Sequence, residues 1–100
     1  AVAQFHPDIM NPEPSELIGT GQSADTTYVT RTVNAVKAVD KGILTEIAAG
    51  ITKGEDVYRY IMAGSDGAGA ASGILKSDDP AALLEEMVAA VARAKKDLNK

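Results

Sequence analysis

The chain has 100 residues, enough for one domain at most. It carries 10 Lys and Arg against 14 Asp and Glu, a formal net charge of -4, which argues against the basic stripe of a nucleic-acid binder. With no Cys and one His it offers no disulfide framework, Cys nucleophile or multi-histidine metal centre, and no apolar run approaches the ~18 residues of a membrane span.

The first residues, Ala1 to Phe5, lack the basic start and long apolar stretch of a signal peptide. They read as the last turn of a helix, which Pro7 then stops. A first strand is expected over about residues 8–12, followed by a polar, Gly-containing loop to Ala24. From Asp25 to Asp40, Val29, Val33, Val36 and Val39 recur at helical spacing, with Asp25 as N-cap. A second strand is expected over about residues 43–47, with Thr45 tolerated because Thr suits strands. Ala48-Ala49-Gly50-Ile51 is then a small-residue loop. Thr52 with Glu55 predicts a capping box for a helix running to about Met62, with Val57 and Ile61 inward and Gly64 ending it. A third strand over about residues 66–71 is weak by propensity and is predicted from its place between helices. A turn at Ser72-Gly73 follows. Asp79-Pro80 opens the last helix as N-cap and first helical residue, with Leu83, Leu84, Met87, Val88 and Val91 as the expected buried stripe. Asp78 and Asp79 at its start and Lys95 and Lys96 near its end suit the helix dipole.

Alternating strands and helices predict an α/β fold with parallel strands and right-handed crossovers. Three strands leave two unpaired edges, and Gly67 to Ala71 bring little side-chain volume. The chain is therefore expected to need further strands, from a partner or from polypeptide outside these residues.

The segment from Pro12 to Gly21 carries the most chemistry. Glu13 stands where a strand gives way to a loop, the place of catalytic groups in parallel barrels. Pro14 fixes the backbone after it, and Gly19-Thr20-Gly21 offers bare N–H groups to an anion. Taken alone, a surface carboxylate in an ordinary loop is the readier reading of Glu13, and a simple turn that of each glycine.

Glu13-Pro14-Ser15-Glu16-Leu17-Ile18-Gly19-Thr20-Gly21 resembles the Glu-Pro-Pro-Glu-Leu-Ile-Gly-Thr-Gly loop of archaeal-type triosephosphate isomerase. Ala49-Gly50-Ile51-Thr52-Lys53-Gly54-Glu55-Asp56-Val57 is similar to the family's Ala-Gly-Ile-Ser-Thr-Gly-Glu-Asp-Val. Ala71-Ser72-Gly73-Ile74, with Lys76 and Asp79-Pro80, resembles its Ala-Ser-Gly-Val stretch and the helix start that follows. The resemblance covers almost the whole chain. It implies part of a (β/α)8 TIM barrel, with residues 1–100 as parallel strands 6–8 and their helices.

By that resemblance Glu13 is the catalytic base, moving a proton between the carbons of dihydroxyacetone phosphate and glyceraldehyde 3-phosphate in glycolysis and gluconeogenesis. This enzyme is the standard worked case of a Glu base beside a neutral His, with loop closure excluding water. Ile18 and Gly19, Gly50, and Ala71 and Ser72 match the family's phosphate-holding positions on three loops. No cofactor or metal is implied. The implied partners are a triose phosphate and the remaining barrel strands, in a cytoplasmic homo- or hetero-oligomer. The other reading is a non-catalytic phosphate-binding or assembly module of half-barrel ancestry.

Several residues depart from the family pattern. Asn11 and Pro12 replace an Ala and a Val or Tyr before the base, and Ser15 replaces a hinge Pro. Ala48 stands for a Gly, and Gly67 to Ala70 replace larger apolar residues. The family's electrophilic His and its substrate-binding Asn and Lys belong to earlier strands. His6 reads as a surface residue, and Lys53 and Lys76 do not match the catalytic Lys.

Overall fold

The computed structural model describes residues 1–100. Three βα units follow one another. They comprise β1 (Ile9–Met10), α1 (Thr26–Val39), β2 (Leu44–Ala48), α2 (Gly54–Met62), β3 (Gly67–Gly69), a short α3 (Ser72–Leu75) and α4 (Pro80–Leu98). Single 3-10 turns occupy Val2–Phe5 and Ser15–Leu17. The strands form one parallel sheet in the order β1-β2-β3. Ile9 pairs with Leu44, and Glu46, Ile47 and Ala48 pair with Gly67, Ala68 and Gly69. No helix is long and apolar enough to cross a membrane.

The alternation of side chains along β2 divides the sheet into two unlike faces. Thr45 and Ile47 are buried under the helices, as is Ile43 just before the strand. Ile47 belongs to one core with Val29 and Val33 of α1, Val57, Tyr60 and Ile61 of α2, and Met87, Ala90 and Ala94 of α4. Ile43 joins Val36 and Ala3, with Met10 against them. The other face carries the register partners Ile9 and Leu44, which are 58% and 49% exposed. Parallel sheets are ordinarily covered on both faces, whereas here one face is covered and the other open.

The helix starts follow their caps. Asp25 accepts from Tyr28 N at 2.8 Å, and Asp79 accepts from Ala82 N at 3.1 Å, ahead of Pro80. The expected Thr52–Glu55 box does not form. α2 begins one residue later, after Lys53; Asp56 accepts from Thr52 N at 3.1 Å, while Glu55 turns outward to Arg93 at 2.8 Å. Ser72 and Gly73 open α3 rather than forming a bare turn. The α4 stripe is also shifted. Met87 is buried and Leu83 and Val91 are half-buried, but Leu84 and Val88 are exposed, and Ala90 and Ala94 take the inward places. Close contact with α2 selects the small residues, because two helices approach most closely over alanine. Val39 is the last residue of α1 and is exposed.

Polar bonds fix where β3 begins. Ser65 is buried; its Oγ accepts from Ile47 N and donates to the Gly67 carbonyl at 2.6 Å. Asp66 accepts from Lys37 Nζ at 2.8 Å and from Thr45 N at 2.9 Å. Lys37 also reaches the Ile43 carbonyl at 2.6 Å, so α1, β2 and the entry to β3 share one network.

Burial works against the Asp66 carboxylate, yet the bonds from Lys37 and Thr45 outweigh it and hold its pKa below the ordinary value of 3.8. A depressed carboxylate stabilises the fold above its unfolded pKa and stops doing so as pH falls through the folded one. Stability in urea, followed by circular dichroism, is therefore expected to fall as the pH drops below about 3.8. Asp66→Asn should be less stable at neutral pH and should show a shallower acid decline. Glycine replacements should also separate. A Cβ on Gly73 would sit 2.1 Å from the Ile51 carbonyl oxygen, whereas one on Gly67 would meet nothing nearer than 3.8 Å. Gly73→Ala should lower the melting temperature and Gly67→Ala should leave it nearly unchanged.

Candidate active site

Parallel strands end on one side of a sheet, so the segments that follow them gather at one rim. Residues 11–24, 49–53 and 70–73 do so here. A cavity of about 290 Å³ between them is lined by Glu13, Ile18, Gly19, Gly50, Ala71 and Ser72. The six residues that the resemblance marks for the base and the phosphate loops thus share one concavity. A second cavity of about 500 Å³ shares Gly19, Gly50 and Ser72 with it and has Lys76 as the one basic side chain in its wall.

The Glu13 segment is compact because it bonds to itself. Pro14 is buried, and Leu17 N donates to its carbonyl at 2.9 Å. Thr20 Oγ1 donates to the Leu17 carbonyl at 2.8 Å and accepts from Gln22 N at 3.0 Å. Gly19 and Gly21 both take φ +74°, where a Cβ is disfavoured. Glu13 itself is exposed at the cavity wall.

The turn after β2 is tighter still. Ala49 and Gly50 hold φ of +83° and +72°. A Cβ at Gly50 would stand 1.8 Å from the Gln22 carbonyl oxygen, so the end of the Glu13 segment rests directly on this turn. The amides of Gly19, Gly50, Ala71 and Ser72 donate to no backbone carbonyl, whereas Ile18 N is directed to the Ser15 carbonyl at 3.3 Å. Unspent amides around a concavity are what an oxyanion needs.

Below the turn, Asp56 is buried and gathers bonds from Thr52 N, Ser23 Oγ and Arg59, the last at 2.6 Å. Arg59 donates to Ser23 Oγ at 2.7 Å as well. Burial alone would raise the Asp56 pKa, but the bonds from Thr52 and Arg59 prevail and hold it low. The carboxylate therefore stays ionised at neutral pH and anchors both segments.

Glu46 escaped the sequence reading, and Asn11 entered it only as a departure from the family pattern. Asn11 Nδ2 donates to Glu46 Oε1 at 3.0 Å, and both line the cavity with Glu13. Glu46 lies across the bare backbone of β3, where a Cβ on Gly69 would come within 2.7 Å of Oε1. The legible signal was a carboxylate at an open-face position of β2 opposite two glycines. His6 lies outside the cavity and bonds Asp40 at 3.0 Å on the surface, as a surface residue should. Lys53 is exposed at the start of α2. No group of His, Cys, Asp and Glu is arranged to hold a metal ion.

Comparison with known proteins agrees with the motifs. The triosephosphate isomerase family model matches residues 1–90. The triosephosphate isomerase of Methanosarcina acetivorans is 42% identical over 91 residues, covering 88% of this chain and 41% of that protein. The enzyme of Sulfurisphaera tokodaii is 40% identical, covering 87% and 39%, and that of Metallosphaera sedula 42% identical, covering 93% and 42%. This chain spans about two fifths of the length of these relatives, 39% to 42%. A chain in the crystal structure of an Amycolatopsis orientalis BexX/CysO complex shares the fold at TM-score 0.68, with 14% identity over 86% of this chain and 32% of that one. The match over residues 1–90 makes this chain a member of the triosephosphate isomerase family.

Proposed function

We propose that this chain supplies the sixth to eighth βα units of a triosephosphate isomerase barrel, with the general base and the phosphate-binding loops. The observation that carries this reading is the shared cavity, which sets Glu13 against the turns of Gly19, Gly50 and Ser72. A triose phosphate enters with its phosphate toward the unspent amides of Gly19, Gly50, Ala71 and Ser72. Glycine at positions 19 and 50 lets the backbone come close to the dianion. No metal or cofactor is needed for a proton transfer of this kind.

Glu13 takes a proton from the carbon next to the carbonyl of dihydroxyacetone phosphate. The electron pair left behind forms an enediolate. A second proton passes from the hydroxyl oxygen of the first carbon to the former carbonyl oxygen, a transfer that falls to groups on the remaining strands. The same carboxyl then returns its own proton to the neighbouring carbon, giving glyceraldehyde 3-phosphate, so no atom is gained or lost. Removing water from the site strengthens the base and shields the enediolate. Polarising the carbonyl falls to groups on the strands that close the barrel over the open face with Ile9 and Leu44. The active form is then an oligomer or a longer assembly, working in the cytoplasm.

The test is Glu13→Gln, assayed in the assembly that completes the barrel. Turnover should fall about a hundred- to ten-thousand-fold with little change in KM, because Gln keeps the shape and loses the base. Unchanged turnover would remove Glu13 from the chemistry. Phosphate binding without turnover in every assembly would favour the non-catalytic module instead.

A further inference from the structure

The far end of the Glu13 segment and the turn after β2 meet at one buried hydroxyl. Tyr60 projects from α2 and is fully buried. Its Oη accepts from Ala24 N at 2.7 Å and donates to the Ala49 carbonyl at 3.3 Å. A phenol has one hydrogen to give and lone pairs to receive, so the bonds do not compete. Burial pushes the Tyr60 pKa up; the bond from Ala24 N opposes this and the nearby Asp56 charge adds to it. The hydroxyl therefore keeps its proton and remains a donor.

Both partners stand at critical points. Ala49 is a residue with a side chain held at φ +83°, which needs outside support. Its neighbour Gly50 carries one of the unspent amides and is pressed by the Gln22 carbonyl. Ala24 follows Ser23, which Asp56 and Arg59 grip from the same helix. Residues 22–24 and 49–50 are thus held to each other through α2.

We infer that Tyr60 is a positioning residue, whose hydroxyl locks the end of the Glu13 segment to the turn presenting the Gly50 amide and so sets the affinity for a phosphoryl group. The inference rests on reading the cavity as a phosphate site. It concerns a residue that touches no ligand.

Tyr60→Phe keeps the ring in the core and removes only the hydroxyl. Inorganic phosphate affinity and amide hydrogen exchange would be measured on the full chain. Phosphate affinity should fall about tenfold, the scale of one buried hydrogen bond. Exchange should quicken at Ala24 while Ile47 in the core stays protected. A role in packing alone would quicken exchange across the whole core and leave the affinity of the folded protein untouched. Unchanged affinity in Tyr60→Phe, with the native chain binding phosphate, would overturn the inference alone. Failure of the native chain to bind phosphate would overturn the site reading with it. Should Tyr60→Phe not fold, Ser23→Ala loosens the same segment from outside the core. It too should weaken phosphate binding, and unchanged affinity there would equally overturn the inference.

Discussion

The carbonyl of Gln22 occupies the space that any side chain at position 50 would need. That contact joins two segments far apart in sequence into one rim. It requires glycine at position 50, a left-handed backbone at positions 49 and 50, and a fixed path for residues 22–24. The parallel sheet brings the segments to the same side, and Asp56, Arg59 and Tyr60 of α2 hold them there. Without this close approach the cavity would lose the wall that faces Glu13.

The two faces of the sheet have opposite needs. The helix face is filled by branched and aromatic side chains and tolerates little change in volume. The open face is polar at its centre, with Glu46 lying over Gly67 and Gly69 and tied to Asn11. Glycine at position 69 makes room for the carboxylate on the neighbouring strand, since a Cβ there would come within 2.7 Å of Glu46 Oε1. A charged group at the middle of an otherwise apolar face is costly unless paired. Asn11 supplies one partner, through the bond from its Nδ2 to Glu46 Oε1.

Much of the architecture was legible because it depends on local rules. Asp25 and Asp79 cap helices in both sequence and structure, and the Val29–Val33–Val36 spacing marks the buried face of α1. The rest depends on partners distant in the chain. Thr52 and Glu55 have the spacing of a capping box, but Arg93 draws Glu55 away and Asp56 serves Thr52 instead. On α4, hydrophobicity pointed to Leu84 and Val88, whereas close packing on α2 chose Ala90 and Ala94. The candidate site was legible as an ordered set of motifs, since no single glycine distinguishes itself from a turn. Glu46 and Tyr60 were not, because their meaning lies in a neighbouring strand and in two loops that only the fold brings near.

The proposed site is three separate turns acting as one anion receptor. Titrating the chain with inorganic phosphate, while following the backbone amide resonances of Gly19, Gly50 and Ser72, asks this directly. All three are expected to shift together along curves with a common affinity. Three unrelated affinities, or shifts confined to the lysine-bearing surface with these amides unmoved, would contradict this reading.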